Sequence, residues 1–253
     1  MFVESNLMDA ESIMTVAEGC DYIVHTASPV AGIVEVEDED VVIKPAVNGT
    51  LAVMKAAQKS KVKKVVITSS IAAVGFGRTG GLTEKDWTDV NTEGLPTYDK
   101  SKTLAERAAW EFIAELPDDE KFPLVTINPA NVFGPNVSTA PTSSFGFALA
   151  LVQGHLPKPG LNWYETVMQH NSVDVRDVSQ AHLEAVLRDE ASDKRFILCA
   201  ESESETEPAF YVGNRAVEVL GIKYTGHTKS MTDMKASMIA TGCIEADNVA
   251  VQQ

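Results

Sequence analysis

Residues 62–70 read VKKVVITSS: a β-branched run, Val65-Val66-Ile67-Thr68, that ends in two serines. An unbroken run of this kind, without polar alternation, reads as a strand covered on both faces, as in parallel sheets. Upstream, KPAVNGTLAVMKAAQKS (44–60) sets Val47, Leu51 and Met54 at helical spacing, and Pro45 suits a first helical turn. Two more buried strands are expected in DYIVHTAS (21–28) and FPLVTINPANV (122–132). Before the last of them, SKTLAERAAWEFIAELP (101–117) stripes one helical face with Leu104, Ala108, Phe112 and Leu116, and Pro117 stops it. Strand, helix, strand, helix, strand predicts a parallel sheet with covering helices and right-handed crossovers.

Ligands of such sheets sit outside the carboxyl ends of the strands. Those ends are small and polar here: Thr26-Ala27-Ser28, Thr68-Ser69-Ser70 and Asn128-Pro129-Ala130-Asn131. Small side chains admit a ligand to the backbone, and hydroxyls can reach its polar groups. Tyr98 and Lys102, four apart at the start of the second helix, share a helical face. Of the five tyrosines, only Tyr98 has a lysine four residues on. A phenol holds its proton to about pH 10. A neighbouring ammonium is expected to lower that value and make Tyr98 a usable acid or base. Ser70, on the strand before it, can hold a carbonyl oxygen while Tyr98 protonates it. That is carbonyl reduction: hydride to carbon, proton to oxygen.

The chain has 253 residues, 44% hydrophobic and 23% charged, enough for one α/β domain with an appended lobe or for two small domains. A net charge of −15 argues against nucleic acid and anionic membranes as partners. Cys20, Cys199 and Cys243 lie far apart with no metal-binding spacing, which reads as reduced, packed thiols and no metal. MFVESNLMDAESIM lacks the basic start and apolar stretch of a signal peptide, and no run approaches the ~18 apolar residues of a membrane helix. A cytoplasmic protein is expected. ESESETEP (201–208) reads as an acidic, solvated loop.

Five stretches, AEGCDYIVHTASPV, KPAVNGTLAVMKAAQKSKVKKVVITSSIAAV, TYDKSKTLAERAAWEF, INPANVFGP and VDVRDVSQAHL, together resemble the extended short-chain dehydrogenases/reductases. Within that family they are similar to the branch of dihydroflavonol reductases, cinnamoyl-CoA reductases and related ketone or aldehyde reductases. The resemblance covers most of residues 1–200. It implies a Rossmann-type doubly wound sheet and an NADP-dependent reductase, with NAD the alternative cofactor. It casts Tyr98 as catalytic acid, Lys102 as the cation that tunes it and holds the nicotinamide ribose, and Ser70 as the group orienting the carbonyl. Ser69 is the second candidate for that role. Thr26, Ala27 and Ser28 would line the cofactor, and Pro129 and Val132 would flank the nicotinamide. Asn6 and Leu7 would stand at the adenine, with Asn6 where the family usually has Asp. Ser144 would approach the pyrophosphate. Asn48, Gly49, His25, Trp87, Trp110, Asp174, Asp177 and His182 are read as packing, wall or bracing residues.

The 16 glycines include no GxxGxxG turn after an early strand, and that turn normally seats the pyrophosphate. The resemblance therefore implies a partial sheet lacking the family's first two strands and glycine-rich turn. It also implies an open apolar edge on the strand that would have paired with them. Residues 1–134 would form the partial dinucleotide-binding domain, with 171–202 packing back onto it. Residues 135–170 and 203–253 would form a small substrate-binding lobe, where GHLPKPGLNW is loop-like and KSMTDMKASMIATG a helix ending at Gly242. The partner is a small-molecule carbonyl compound, and the chain a monomer or homodimer. A nucleotide-sugar epimerase or dehydratase of the same fold, or a non-catalytic nucleotide-binding protein, remain alternatives.

Overall fold

The computed structural model describes residues 2–29, 38–76, 78, 80–140, 143–153, 171–200 and 211–245. Its main sheet has four parallel strands in the order β1 (Tyr22–His25), β2 (Lys64–Thr68), β3 (Leu124–Pro129) and β6 (Lys194–Leu198). Val24 lies opposite Val66, Val66 opposite Val125, and Ile127 opposite Phe196. A second, two-stranded parallel sheet joins β4 (Asn131–Phe133) to β5 (Ser172–Asp174).

Strand side chains alternate between faces, so β2 and β3 feed two cores. Val65, Ile67 and Leu124 pack against Met54 and Ala57 of α2 (Asp40–Ser60) and Ala109 of α3 (Thr97–Glu115). Val66, Val125, Ile127 and Phe196 face the other way, onto Ala181 and Ala185 of α5 (Val175–Leu187). Helices on both faces of a parallel sheet are the doubly wound arrangement. Each of these buried aliphatic side chains contributes roughly 1.5–3 kcal/mol. The small-residue stripes Ala56/Ala57 and Ala181/Ala185, all fully buried, let the helices lie close to the sheet.

β1 is the open edge. Tyr22 and Val24 are 42% and 45% exposed, so DYIVHTAS is not the doubly covered strand that its apolar run suggests. Among the described residues its register partner is β2 alone. α1 (Ala10–Ala17), capped by the Asp9 carboxylate on the Glu11 and Ser12 N–H groups, packs Ile13 and Ala17 onto Ala52, Val53 and Ala56 of α2. Gly49 permits this corner: a Cβ there would come within 2.4 Å of Leu7 Cγ.

Three sequence readings need correction. α2 starts at Asp40, so Pro45 lies inside the helix and not in its first turn. The missing proline N–H would have served the carbonyl of Val41, a residue 60% exposed and open to water. FPLVTINPANV is two strands. Pro129 brings no N–H to the ladder, and beyond Ala130 the Asn131 N–H turns to the Asn171 carbonyl (3.0 Å). The most buried face of α3 carries Lys102, Ala105, Glu106 and Ala109, while Leu104, Ala108, Phe112 and Leu116 are only half-buried. Charged groups take that face because their partners lie beneath it.

The lobe helices α4 (Ser143–Val152) and α6 (His227–Ala240) meet around Phe133, Ala148, Met234 and Met238. α6 fits the helix expected in KSMTDMKASMIATG. Asp174 caps α5 and grips Arg176, which reaches Asp233 of α6 at 2.7 Å. Asp177 accepts from the Thr225 N–H (2.6 Å) and hydroxyl (3.1 Å). Both aspartates are braces. GHLPKPGLNW and ESESETEP lie outside the described residues.

Under the sheet's carboxyl edge sits Glu106, 1% exposed. Its Oε1 accepts from Arg195 Nε (2.6 Å) and the Thr126 hydroxyl (3.0 Å). Its Oε2 accepts from Asn128 Nδ2 (2.7 Å) and the Ser69 hydroxyl. Arg195 also donates to the carbonyls of Glu84 (2.9 Å) and Asp86 (2.6 Å), and its guanidinium lies 3.7 Å from the Trp87 ring centroid. Removing one member of such a pair strands a charge in the interior. Arg195→Met is expected to lose about 3–5 kcal/mol of unfolding free energy in urea titrations. Arg195→Met combined with Glu106→Gln is expected to recover part of that loss. A double variant no more stable than the single one would refute the charge-burial account.

Candidate active site

The carboxyl ends of β1 and β2 and the first three turns of α3 enclose a small pocket. His25, Ala27 and Ser28 form one wall, Thr68 and Ser69 the floor, and Lys102, Ala105 and Glu106 the α3 side, with Thr50 of α2 beside them. Each position follows from the local sequence. The strand ends supply short polar side chains. α3 presents residues 98, 102 and 106 along one line because four residues advance just over one turn.

Ser70 ends the β2 excursion by capping a short 3₁₀ turn, Ile71–Ala73, with its hydroxyl on the Ala72 N–H (3.1 Å). Its carbonyl accepts from Asn128 Nδ2 (3.1 Å). The Ser70 side chain lies near enough to the Tyr98 phenol to favour its ionised form. Lys102 is 8% exposed and its Nζ lies 5.8 Å from the Tyr98 ring centroid. Serine, tyrosine and lysine thus converge at one point above the sheet edge.

The electrostatics differ in one respect from the expectation. Tyr98 is pushed above its ordinary value, because burial disfavours the phenolate. The Ser70 side chain pulls it back and the Asp99 charge pushes it further up. Burial brings Lys102 down to about 8, against a restoring pull from Glu106. Lys102 therefore loses its proton before the phenol would ionise, and no ammonium remains to favour the phenolate. At neutral pH both protons are in place. His25 is lowered to about 4 by burial and by the Lys102 charge, so it is a neutral wall residue. Burial raises Asp99 to about 6.

His182 is a brace. Its Nδ1–H donates to the Val178 carbonyl (2.8 Å), leaving Nε2 to accept from the Thr68 hydroxyl (2.7 Å). Burial lowers its pKa.

Ala27, Ser28, Ser69 and Lys102 line the pocket together; Ser70 and Tyr98 do not line it, Ser70 following Ser69 in the chain and Tyr98 preceding Lys102 by one turn of α3. Thr26 is exposed at the β1 end. The Ser69 hydroxyl is spent on Glu106, which leaves Ser70 as the serine facing Tyr98. Asn6 uses its carboxamide on the Met8 N–H (2.9 Å), and Leu7 packs on Gly49. Pro129 is buried in β3, Val132 packs against the α5-side core, and Ser144 is half-buried on α4; none of the three lines the pocket. Thr50 and Glu106 are pocket residues that the sequence reading missed. For Glu106 a signal existed: it continues the 98, 102 series by another four residues.

The model of the NAD dependent epimerase/dehydratase family matches residues 1–199. An anthocyanidin reductase ((2S)-flavan-3-ol-forming) of Vitis vinifera is 36% identical over 223 residues, 83% of this chain and 64% of that protein. The chain thus spans less than two thirds of that relative's length. Cinnamoyl-CoA reductase 1 of Arabidopsis thaliana is 29% identical, over 94% of this chain and 74% of its own. The structure of Gre2 from Candida albicans in complex with NADPH superposes with a TM-score of 0.75 at 25% identity, covering 93% of this chain and 82% of that one. With its parallel sheet and the family model matching from residue 1 to 199, the chain belongs to the NAD dependent epimerase/dehydratase family.

Proposed function

We propose that this chain carries the catalytic site of an NADPH-dependent reductase that converts a ketone or aldehyde to an alcohol. The observation that carries the reading is the Ser70–Tyr98–Lys102 convergence, with the phenol and the ammonium both protonated at neutral pH. The reductase names of the relatives support it, as does the NADPH bound to the Candida albicans structure. Carbonyl reduction is favoured over sugar epimerisation for the same reason.

The residues present fit a nicotinamide cofactor. Lys102 is a nearly buried ammonium that draws no ion pair among the described residues, and it faces the small side chains of Ala27 and Ser28. Such a cation suits ribose hydroxyls. Lys102, Thr26, Ala27, Ser28, Pro129 and Val132 are the residues proposed to hold the group, with Asn6, Leu7 and Ser144 as more distant contacts. When bound, the cofactor supplies the hydride. The chain's own part is acid chemistry. Ser70 Oγ donates to the carbonyl oxygen and orients it. Tyr98 Oη gives that oxygen its proton as negative charge develops there. Lys102 keeps a positive charge beside the phenol, and His25 and Ala105 help to exclude water.

Tyr98→Phe is expected to keep the fold and cut turnover by roughly 10²–10⁴, as loss of a general acid does. NADPH oxidation with a panel of aldehydes and ketones measures this, and NADPH fluorescence enhancement reports binding in the same samples. Unchanged turnover in the Tyr98→Phe variant would remove Tyr98 from the mechanism. Turnover of UDP-sugars in place of carbonyl compounds would favour epimerase chemistry.

The pH profile tests the electrostatics. Lys102 is charged below its value of about 8 and neutral above it. Reduction is therefore expected to fall as pH rises through about 8, with one proton lost. His25 is already neutral above about 4 and adds no limb near neutrality. A kcat/KM profile that stays level through the Lys102 midpoint would show that its charge is not needed.

A further inference from the structure

We propose that Glu106 is the positioning residue of this site, its carboxylate fixing the Ser69–Ser70 turn and standing one helical turn from the Lys102 ammonium with which it lines the pocket. The inference rests on the reductase reading for its catalytic meaning, but not for its geometry. Glu106 lines the pocket and follows Lys102 by four residues on the same face of α3. Its Oε2 accepts from the Ser69 hydroxyl and from Asn128 Nδ2, and that same Asn128 nitrogen donates to the Ser70 carbonyl. Ser69 is thus held directly and Ser70 through one intermediary. The Ser70 side chain in turn lies near the Tyr98 phenol. One carboxylate thus holds the Ser69–Ser70 turn and lines the same pocket as Lys102, one turn along α3.

Well-packed apolar residues stabilise an interior at least as well as a buried ion pair. Here the pair is extended into the site, with the Glu106 side toward Lys102 and the Arg195 side closed off by carbonyls and Trp87. The charged and titratable groups that bear on Lys102 are few. Glu106 comes from its own helix, Tyr98 from one turn earlier, and His25 from β1, where it is neutral at working pH. Around Glu106 stand Arg195 of β6, Thr126 and Asn128 of β3, Ser69 beyond β2, and Trp110 of α3 (3.3 Å). Glu106 is the anion that opposes the desolvation of Lys102.

The test reads Lys102 itself. Side-chain NMR of ¹³C,¹⁵N-lysine-labelled protein follows the Lys102 titration in the parent chain and in Glu106→Gln, without cofactor or substrate. Glutamine keeps an acceptor for Ser69 and removes the charge, and Arg195 retains its carbonyl and Trp87 partners. The Lys102 midpoint is expected to fall by about one pH unit, the scale of a lost opposite charge nearby. Glu106→Asp, which keeps the charge, is expected to return it toward the parent value. If Glu106→Gln does not fold, Glu106→Gln with Arg195→Met is titrated instead and should show a smaller fall, because a positive charge leaves with the negative one. An unchanged midpoint in whichever of these folds overturns the proposal. In the active protein, the alkaline limb of kcat should move down with the NMR midpoint. Loss of the NMR shift defeats the positioning role alone. A retained shift in a parent chain that oxidises NADPH with none of the aldehydes and ketones defeats the reductase reading alone.

Discussion

The Glu106–Arg195 pair is the constraint on which the site depends. Two opposite charges are held where water does not reach, and every remaining lone pair and proton around them must be matched. The matching draws in elements that are far apart in sequence: Ser69 after β2, Thr126 and Asn128 on β3, Arg195 on β6, and the 73–87 segment through its carbonyls. An apolar core tolerates small slips of one element against another. A saturated hydrogen-bond network does not, because each slip leaves a buried polar group without a partner. The carboxyl edge of the sheet is thereby locked at the place where Ser70 and Tyr98 must meet.

Burial then sets the charge state of the site. Desolvation drives Tyr98 up, Lys102 down and His25 down, each toward its neutral form. The outcome near pH 7 is one neutral phenol, one neutral imidazole and one ammonium. That is the state a proton donor beside a single cation requires. The cation survives burial because its opposing anion is four residues away on the same helix. Lys102 is thus the most finely balanced group in the pocket, and outside it burial raises Asp99 to about 6.

The doubly wound sheet was legible in the sequence because the unbroken run Val65-Val66-Ile67 asks for cover on both faces and helical stripes alternate with the strands. The convergence of Tyr98 with Lys102 was legible for the same kind of reason, a fixed helical period. The burial of α3 was not. Leu104, Ala108, Phe112 and Leu116 made the more apolar stripe, yet Lys102 and Glu106 took the deeper face. Hydrophobic periodicity assumes that charge seeks water, and the assumption fails where a buried partner such as Arg195 waits in a strand 89 residues on. The same limit hid the direction of the Tyr98 shift. The YxxxK spacing reports proximity to a cation, but not the desolvation that outweighs it.

The two halves of the pocket differ in how firmly they are held. Ser70 is tied into the buried network through Asn128, and Lys102 lies on the same buried face of α3 as Glu106; local opening there would expose a charge. The Thr26-Ala27-Ser28 wall extends from β1, a strand paired on one side only among the described residues, with Tyr22 and Val24 open to solvent. Its support is indirect. Ile23 packs beneath α1 and α2, and that corner closes only because Gly49 admits Leu7. Local opening follows the gradient of packing and hydrogen bonding, so the β1 wall opens at lower free energy than the α3 wall. A site built this way holds its α3 side more firmly than the Thr26-Ala27-Ser28 wall that faces it.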